Sequence, residues 1–163
     1  MELRDLYNGK KILTGKTIEK GQKVPQGNYY ITVVVFIQND MGEFLLQKRV
    51  EKKDGKWATT GGHPKSGESS LEGIVTEIKE ELGIDVKQNE LTLFKTERTE
   101  DDFVDIYYLK KNIDLKDIVL QEEEVDDVMW ASREKIQELI VKDNFSSSHK
   151  EFYDYCLNFL DNN

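Results

Sequence analysis

A capped amphipathic helix that follows a glycine-rich turn, within residues 62–84, constrains the fold of this chain more than any other segment. Ser69 and Glu72 form an S-x-x-E capping box at the helix start, and Gly83 provides the glycine expected just past its end. The turn before the helix contains Gly61, Gly62 and Gly67. Apolar residues recur at helical intervals at Leu71, Ile74, Val75, Ile78 and Leu82. The pattern predicts a helix that packs one face on a hydrophobic core.

Three glutamates share a flank of this helix away from the apolar stripe. At about 100° per residue, Glu77, Glu80 and Glu81 fall together, so we expect the helix to present a carboxylate cluster outward. Carboxylates this close repel one another unless a cation lies among them, and Mg²⁺ prefers oxygen ligands. The alternative is a solvated charged face, but such a face needs no tight glycine turn before it. The cluster therefore predicts a magnesium site that binds phosphates.

These residues resemble the Nudix box, whose pattern is G-x5-E-x7-R-E-U-x-E-E-x-G-U with U aliphatic. The fixed positions are matched by Gly62, Glu68, Glu77, Ile78, Glu80, Glu81, Gly83 and Ile84. Thr76 stands where the box has arginine. The similarity extends upstream, over residues 42–49, residues 55–57 and the pair Gly61-Gly62. The chain is therefore interpreted as resembling a Nudix hydrolase with its box at residues 62–84.

The order of predicted strands and helices favours an α+β fold in a single domain over residues 1–163. Strands are expected around Leu6 and Ile12, over residues 29–38 and 43–49, as a pair over 91–99 and 103–110, and over 128–130. Besides the box helix, helices are expected to begin at Ser132 and Ser148. The Nudix resemblance implies a compatible architecture, an α/β/α sandwich in which a mixed β-sheet lies between helices.

The resemblance also implies which residues bind metal and which accept a proton. In the family, box glutamates hold Mg²⁺ or Mn²⁺ against a diphosphate. The matching ligands here are Glu77, Glu80, Glu81 and the backbone carbonyl of Gly61. A general base takes the proton of the attacking water. This base is Glu77 or Glu80 if it lies in the box, or Glu123 if it lies in the acidic loop of residues 122–124. The other interpretation of that loop is a solvated acidic turn.

Thr76 is the main departure from the box pattern. The family's arginine orients the box carboxylates, whereas a threonine offers one hydroxyl. Glu68 and Glu77 are therefore expected to keep more mutual repulsion, offset by Lys65, Lys79 or a metal ion. We expect weaker metal affinity or a lower rate, and not an inert fold.

The run Gly61-Gly62-His63-Pro64 is similar to the isopentenyl-diphosphate isomerase-like branch of the family. Those isomerases need a cysteine just before the glycine-histidine pair and several metal-binding histidines. Gly61 occupies the cysteine position, and the chain has two histidines, His63 and His149, the second expected to lie far from the box. We interpret His63 as a turn residue beside Pro64 in preference to a metal ligand. Isomerase activity is therefore not expected.

Three residues outside the box are candidates for substrate binding, namely Arg49, Lys48 and Trp57. Arg49 and Lys48 can bind phosphate from a strand end, with Arg49 the better bidentate donor. The alternative for this pair is a basic patch on an edge strand. Trp57 can stack on a base or ring, or pack in the core or at its rim.

Composition limits the partners of the chain. The 163 residues carry a formal net charge of −9, which argues against nucleic acid or an anionic membrane as the main partner. The single cysteine, Cys156, excludes an internal disulfide and fits a reducing compartment. No apolar run suggests secretion or a membrane span, so we expect a cytoplasmic location. The resemblance leaves a homodimer open.

The sequence as a whole predicts a metal-dependent hydrolase. Its substrate would be a small-molecule diphosphate, either a nucleoside diphosphate linked to another moiety or a related organic diphosphate. Water would attack one phosphorus of the pyrophosphate bond, with Mg²⁺ or Mn²⁺ as cofactor. The alternative is a degenerate domain that binds a diphosphate ligand without turnover, and Thr76 is the residue that supports it.

Overall fold

The computed structural model describes residues 2–163, which contain nine strands and three α-helices. The strands are β1 (Leu3–Tyr7), β2 (Leu13–Glu19), β3 (Tyr30–Gln38), β4 (Phe44–Arg49), β5 (Trp57–Ala58), β6 (Thr60–Gly62), β7 (Leu91–Arg98), β8 (Asp102–Lys110) and β9 (Val125–Ala131). The helices are α1 (Ser70–Leu82), α2 (Arg133–Val141) and α3 (Ser147–Asp161). Short 3₁₀ helices span Gln88–Glu90 and Leu115–Asp117. The strands and helices expected from the sequence are present at or beside their predicted positions.

Seven of the strands form one mixed sheet. Its order is β5-β4-β3-β8-β7, with β6 beside β3 and β9 beside β4. β3 and β8 run parallel, whereas the other neighbours are antiparallel. The residue pair Gln38–Phe44 links β3 to β4, and further along the strands β6 pairs with β3 while β5 pairs with β4. This arrangement places the glycines at the start of the box directly beside the central strand.

Alternate residues of β3 pack on opposite faces of the sheet. Val33 and Val35 belong to a core formed with the apolar stripe of α1. Val34 and Phe36 belong to a second core formed with α2 and α3. The mixed sheet therefore lies between α1 on one face and α2 with α3 on the other, which confirms the α/β/α sandwich expected from the sequence.

The first two strands form a separate antiparallel hairpin, hereafter the N-terminal hairpin. Its Tyr7 exchanges two backbone hydrogen bonds with Tyr29, of 2.7 and 2.9 Å, just before β3 begins. At the hairpin turn, Nζ of Lys11 lies 2.6 and 2.8 Å from the two carboxylate oxygens of Asp105, a fully buried residue of β8. Thr96 of β7 donates a further hydrogen bond of 2.6 Å to the same carboxylate. These contacts fix the hairpin against the sheet.

The prediction of a glycine turn before the box helix is wrong for two of its three glycines. Gly61 and Gly62 lie in β6, paired with Val34 and Val33 of β3. Gly67 does adopt a left-handed backbone, with φ of +92°. A Cβ on Gly61 would lie 2.7 Å from the carbonyl oxygen of Val33, so close approach of two strands, and not a turn, requires glycine there.

The start of α3 lies close to its predicted position. The last helix begins at Ser147, one residue before the predicted Ser148. No helix within residues 2–163 combines the length and the apolar character needed to cross a membrane.

Candidate active site

A cavity of about 870 Å³ lies beside the glutamates of α1. Its lining comes from the N-terminal hairpin and the residues at its two ends, the strands β3, β4, β5 and β8 with adjoining loops, the box with its helix, the loop before β9, and the first turns of α3. Glu77, Glu80 and Glu81 all contribute to the lining. The predicted trio of carboxylates is therefore brought to one side of a single cavity.

The local signals at the ends of α1 set the register of these glutamates. The Ser69 side chain accepts a hydrogen bond from the backbone of Glu72, whose carboxylate accepts one from the backbone of Ser69 in return. Gly83 ends the helix in the left-handed region with φ of +70°. The expectation that the carboxylates face outward is wrong for Glu81, which is 8% exposed. The helix turns this flank into the cavity.

Glu81 is held in place by a chain of buried polar side chains. Nε2 of Gln47 donates a 3.0 Å hydrogen bond to Oε1 of Glu81. The hydroxyl of Thr60 donates to Oε1 of Gln47 at 2.9 Å, which fixes the orientation of the amide. Burial raises the pKa of Glu81, and the hydrogen bond from Gln47 acts in the opposite direction. The carboxylate is thus fixed in position within a poorly hydrated environment.

Glu77 lies directly against the backbone of Gly62. A Cβ added to Gly62 would come within 2.3 Å of the Glu77 carboxyl carbon, so only glycine leaves room for this side chain. Burial, together with the charges of Glu81 and Glu80, raises the pKa of Glu77 to about 8. A cation beside this carboxylate would favour its ionised form.

The remaining box residues are paired with one another. Thr76, which replaces the box arginine, donates a 2.7 Å hydrogen bond to Oε2 of Glu68. The backbone N–H of Lys65 donates to Oε1 of Glu68, and Nζ of Lys65 lies 3.0 Å from Glu80. Lys79, which was expected to offset the repulsion between Glu68 and Glu77, pairs instead with Asp85. The threonine therefore orients Glu68, and Lys65 is the cation that pairs directly with a box carboxylate, Glu80.

The donor set fits a hard divalent cation by its chemistry. Within residues 2–163, no three Asp, Glu, His or Cys side chains are grouped closely enough to hold one ion. Lys65 attracts Glu80 and Gln47 holds Glu81, so the carboxylates are satisfied separately. Glu77 and Glu81 nevertheless supply oxygen donors at a site where burial disfavours both negative charges. The charges of Glu81 and Glu80 contribute to the raised pKa of Glu77, and a cation between these carboxylates would offset that repulsion.

Arg49 lies on the cavity wall, near the start of α3. Its Nη1 is 3.4 Å from Oγ of Ser146, and its Nε is 3.6 Å from the carboxylate of Asp54. His149, expected to lie far from the box, lines the same cavity, so that prediction is wrong. Its Nδ1 accepts a 3.3 Å hydrogen bond from the backbone of Thr59, and burial, aided by Arg49, lowers its pKa to about 4. His149 is therefore a neutral hydrogen-bonding group at neutral pH.

His63 also lines the cavity, at the end of β6. Its Nδ1 lies 3.3 Å from Oγ1 of Thr32 and 3.4 Å from the carbonyl oxygen of Ile31. Thr32 in turn donates a 2.5 Å hydrogen bond to Asp102 of β8. Burial, with a contribution from the charge of Arg4, lowers the pKa of His63 to about 4. The imidazole is thus uncharged and fixed on the floor of the cavity.

Three predicted site residues lie elsewhere. Lys48 and Trp57 pair across β4 and β5, and neither is among the lining residues of the cavity. Trp57 packs against the core beneath α2 and α3. Glu123 is exposed and does not line the cavity, whereas its neighbour Glu124 does and forms an ion pair with Lys53. The acidic loop therefore reaches the cavity through its third glutamate.

Comparison with known proteins gives a consistent family. The NUDIX domain model matches residues 28–156. An uncharacterized Nudix hydrolase of Listeria innocua is 35% identical over 144 residues, which cover 85% of each protein. An isopentenyl-diphosphate Delta-isomerase of Aliivibrio fischeri is 30% identical over 141 residues, covering 74% of this chain and 75% of that protein. The crystal structure of DR0079 from Deinococcus radiodurans has a TM-score of 0.77 at 18% identity, covering 95% of this chain and 99% of that one.

The fold is that of a Nudix domain, and the chain belongs to the Nudix family of pyrophosphohydrolases. The likeness to the Deinococcus radiodurans structure confirms the fold alone, because sequence identity is low. Similarity to an isomerase agrees with the branch indicated by residues 61–64. The family match begins at residue 28, so the N-terminal hairpin precedes it.

Proposed function

We propose that this chain hydrolyses the pyrophosphate bond of a small organic diphosphate with the help of Mg²⁺ or Mn²⁺. The observation that chiefly supports the proposal is the burial of Glu77 and Glu81 in one cavity, which raises the pKa of both carboxyl groups. A divalent cation between these groups and a diphosphate would offset charge on both sides. The substrate class is a nucleoside diphosphate linked to another moiety, or a related organic diphosphate.

The residues that would hold the cation are Glu77 and Glu81, with Glu80 and the backbone carbonyl of Gly61 as further ligands. When bound there, the ion neutralises phosphate charge and makes a coordinated water more acidic. The chain's own contribution is to hold these oxygens: Gln47 fixes Glu81, and the absence of a side chain on Gly62 admits Glu77. Burial excludes competing water from the carboxylates.

The proton acceptor that we propose is Glu124, in place of Glu123. Glu124 lines the cavity, and its ion pair with Lys53 orients the carboxylate. The box glutamates Glu77 and Glu80 are the alternative bases. Loss of a general base lowers rates by about 10²–10⁴. We expect Glu124→Gln to lower kcat in this range while Glu123→Gln, on the adjacent exposed residue, leaves it unchanged.

Arg49 is proposed to bind a phosphate of the substrate. It lines the cavity beside the first turn of α3, where a guanidinium can donate two parallel hydrogen bonds to phosphate oxygens. Its contact with Asp54 is long, at 3.6 Å, so the ion pair between the two residues is weak and leaves the guanidinium free to bind a phosphate. Neither Lys48 nor Trp57 is retained in the proposal, because neither lines the cavity.

The deciding experiment is a hydrolysis screen with Mg²⁺ and Mn²⁺ compared. The panel should contain ADP-ribose, nucleotide sugars, oxidised nucleoside triphosphates and prenyl diphosphates, with monophosphate release as the readout. We expect metal-dependent release that Glu77→Gln and Glu81→Gln each abolish, whereas Glu134→Gln, on an exposed face of α2, has no effect. Ligand-induced thermal stabilisation without any turnover would instead support the binding-only alternative suggested by Thr76.

We also infer a cytoplasmic location and one domain over residues 1–163. The single cysteine and the net charge of −9 support a reducing compartment and a partner other than nucleic acid. Analytical ultracentrifugation of the purified chain would determine whether it forms a homodimer.

A further inference from the structure

The cations that line the cavity differ in whether a carboxylate of the protein already neutralises them. Three have such a partner: Lys53 pairs with Glu124, Lys65 pairs with Glu80, and Arg49 lies near Asp54. The other two, Arg4 and Lys20, come from the N-terminal hairpin and its end. Neither has a carboxylate within 4.0 Å in the part of the chain that the structure describes. The hairpin therefore brings unneutralised positive charge to the cavity.

Arg4 is the better defined of the two. It lies on the same face of β1 as the buried Leu6, so its side chain is directed toward the body of the protein. The guanidinium carbon lies 5.2 Å from the centre of the Tyr30 ring, a distance at which the charge and the ring attract each other. Its Nε is buried without a hydrogen-bond partner among residues 2–163. A buried donor without an acceptor is unfavourable. Because Nε has no accessible surface, a group in the cavity would be bound by the terminal nitrogens of the guanidinium.

The strand that carries Arg4 is attached by hydrogen bonds to the loop before the box helix. The carboxylate of Asp5 accepts hydrogen bonds from Oγ of Ser66, at 2.7 Å, and from the backbone of Gly67, at 3.0 Å. The backbone of Ser66 donates to the carbonyl oxygen of Leu3 at 2.8 Å. Arg4 therefore lies between two residues that bind the loop leading into the box helix.

Arg4 lines the cavity beside Tyr30, and the centre of the Tyr30 ring lies 5.3 Å from that of the His63 ring. Glu77 lies against Gly62, and the cations whose charges act on it are Lys65 and Lys53. From this arrangement we propose that Arg4, assisted by Lys20, binds a second anionic group of the substrate, a phosphate monoester on its organic half. This inference rests on the proposed function and narrows its substrate class.

Pairs of diphosphates that differ by one phosphate monoester test this inference directly. NADH and NADPH form one such pair, and dephospho-coenzyme A and coenzyme A form another. For a pair that is hydrolysed, kcat/KM should favour the phosphorylated member by about 10-fold or more, as expected for hydrogen bonds to a charged group. Arg4→Gln should remove this preference and Arg4→Lys should restore part of it. Lys16→Gln, at an exposed position of the same hairpin that does not line the cavity, should leave it unchanged.

The possible outcomes separate this inference from the proposed function. Equal kcat/KM within the hydrolysed pairs, or a preference that survives Arg4→Gln, overturns the role of Arg4 while hydrolysis stands. Hydrolysis confined to substrates without a second anionic group overturns it as well. If Arg4→Gln fails to fold, Lys20→Gln should reduce the preference by a smaller factor. In the absence of any turnover, thermal stabilisation by NADPH compared with NADH measures the same discrimination by binding, and equal shifts overturn the inference.

Discussion

At the scale of single residues, the two adjacent glycines of β6 are needed for different reasons. A Cβ on Gly62 would meet the end of the Glu77 side chain, which can rotate away. A Cβ on Gly61 would meet the backbone of β3 at Val33, which cannot move without disturbing the sheet. Gly61 is therefore needed for the packing of β6 on β3, and Gly62 is needed for the position of the Glu77 carboxylate.

This difference predicts opposite effects for two alanine substitutions. Gly61→Ala should destabilise the protein by about 1–3 kcal/mol, the usual cost of overpacking. Gly62→Ala should retain most of the stability yet abolish monophosphate release, because Glu77 is displaced. Urea denaturation and the hydrolysis assay measure the two effects. Full activity in Gly62→Ala would show that the close packing of Glu77 on Gly62 is dispensable.

The raised pKa of Glu77 predicts how stability depends on pH. The value of about 8 in the folded protein exceeds the ordinary value of 4.5, so the folded state binds the extra proton between these limits. This contribution is fully present below pH 4.5 and is lost as the pH rises through 8. Without divalent cation, Glu77→Gln should therefore raise stability at pH 8.5 by up to about 4–5 kcal/mol relative to the parent chain.

Addition of Mg²⁺ at pH 8.5 should narrow that difference in stability. A cation at 100 times its Kd stabilises the folded state by about 2.7 kcal/mol, and the gain should be largely absent in Glu77→Gln. Thermal unfolding with EDTA and with Mg²⁺ measures both effects, and Glu134→Gln serves as the control. Equal responses of Glu77→Gln and the parent chain to Mg²⁺ would exclude Glu77 as a ligand.

At the scale of elements, the box helix was predictable and the opposite walls of the cavity were not. Every signal that positions α1 is local: a capping box, an apolar stripe and a terminal glycine within one turn of its ends. The N-terminal hairpin and the start of α3 reach the cavity through contacts between distant parts of the chain. This is why Arg4 and His149 were not predicted at the cavity. Trp57, which is aromatic and close to the box in sequence, was proposed as a substrate-binding residue, whereas it packs on the core beneath α2 and α3.

The N-terminal hairpin is attached through a buried ion pair, and this predicts coupled effects. Asp105 is fully buried, so loss of Lys11 leaves a carboxylate without its cation. Lys11→Met and Asp105→Asn should each destabilise the protein by about 3 kcal/mol, and the double variant by less than the sum of the two. Urea denaturation of the four proteins gives the coupling energy. Lys16→Met, at an exposed position of the hairpin, is the control, and strict additivity would contradict the pairing.

At the scale of the whole molecule, the two cores join the cavity to the global fold. The core between the sheet and α1 carries the carboxylates, and the core beneath α2 and α3 carries His149 and Phe152 to the opposite side of the cavity. A ligand that contacts both sides binds the folded state and not the separated layers. Ligand binding should therefore oppose any opening that lifts α3 from the sheet.

Cys156 offers a probe of this opening. It lies on α3 with no exposed surface, and burial raises the pKa of its thiol to about 12, so a thiol reagent can reach it only when α3 separates from the sheet. We expect slow labelling at pH 8 that becomes fast in urea. Mg²⁺ with a non-hydrolysable diphosphate analogue, each at 100 times its Kd, should slow the native reaction by about 100-fold if the complex contacts α3. Cys156→Ala gives the reagent background. Labelling that is unaffected by the ligand would mean that α3 opens independently of the carboxylate side, and that the cavity does not couple the two layers.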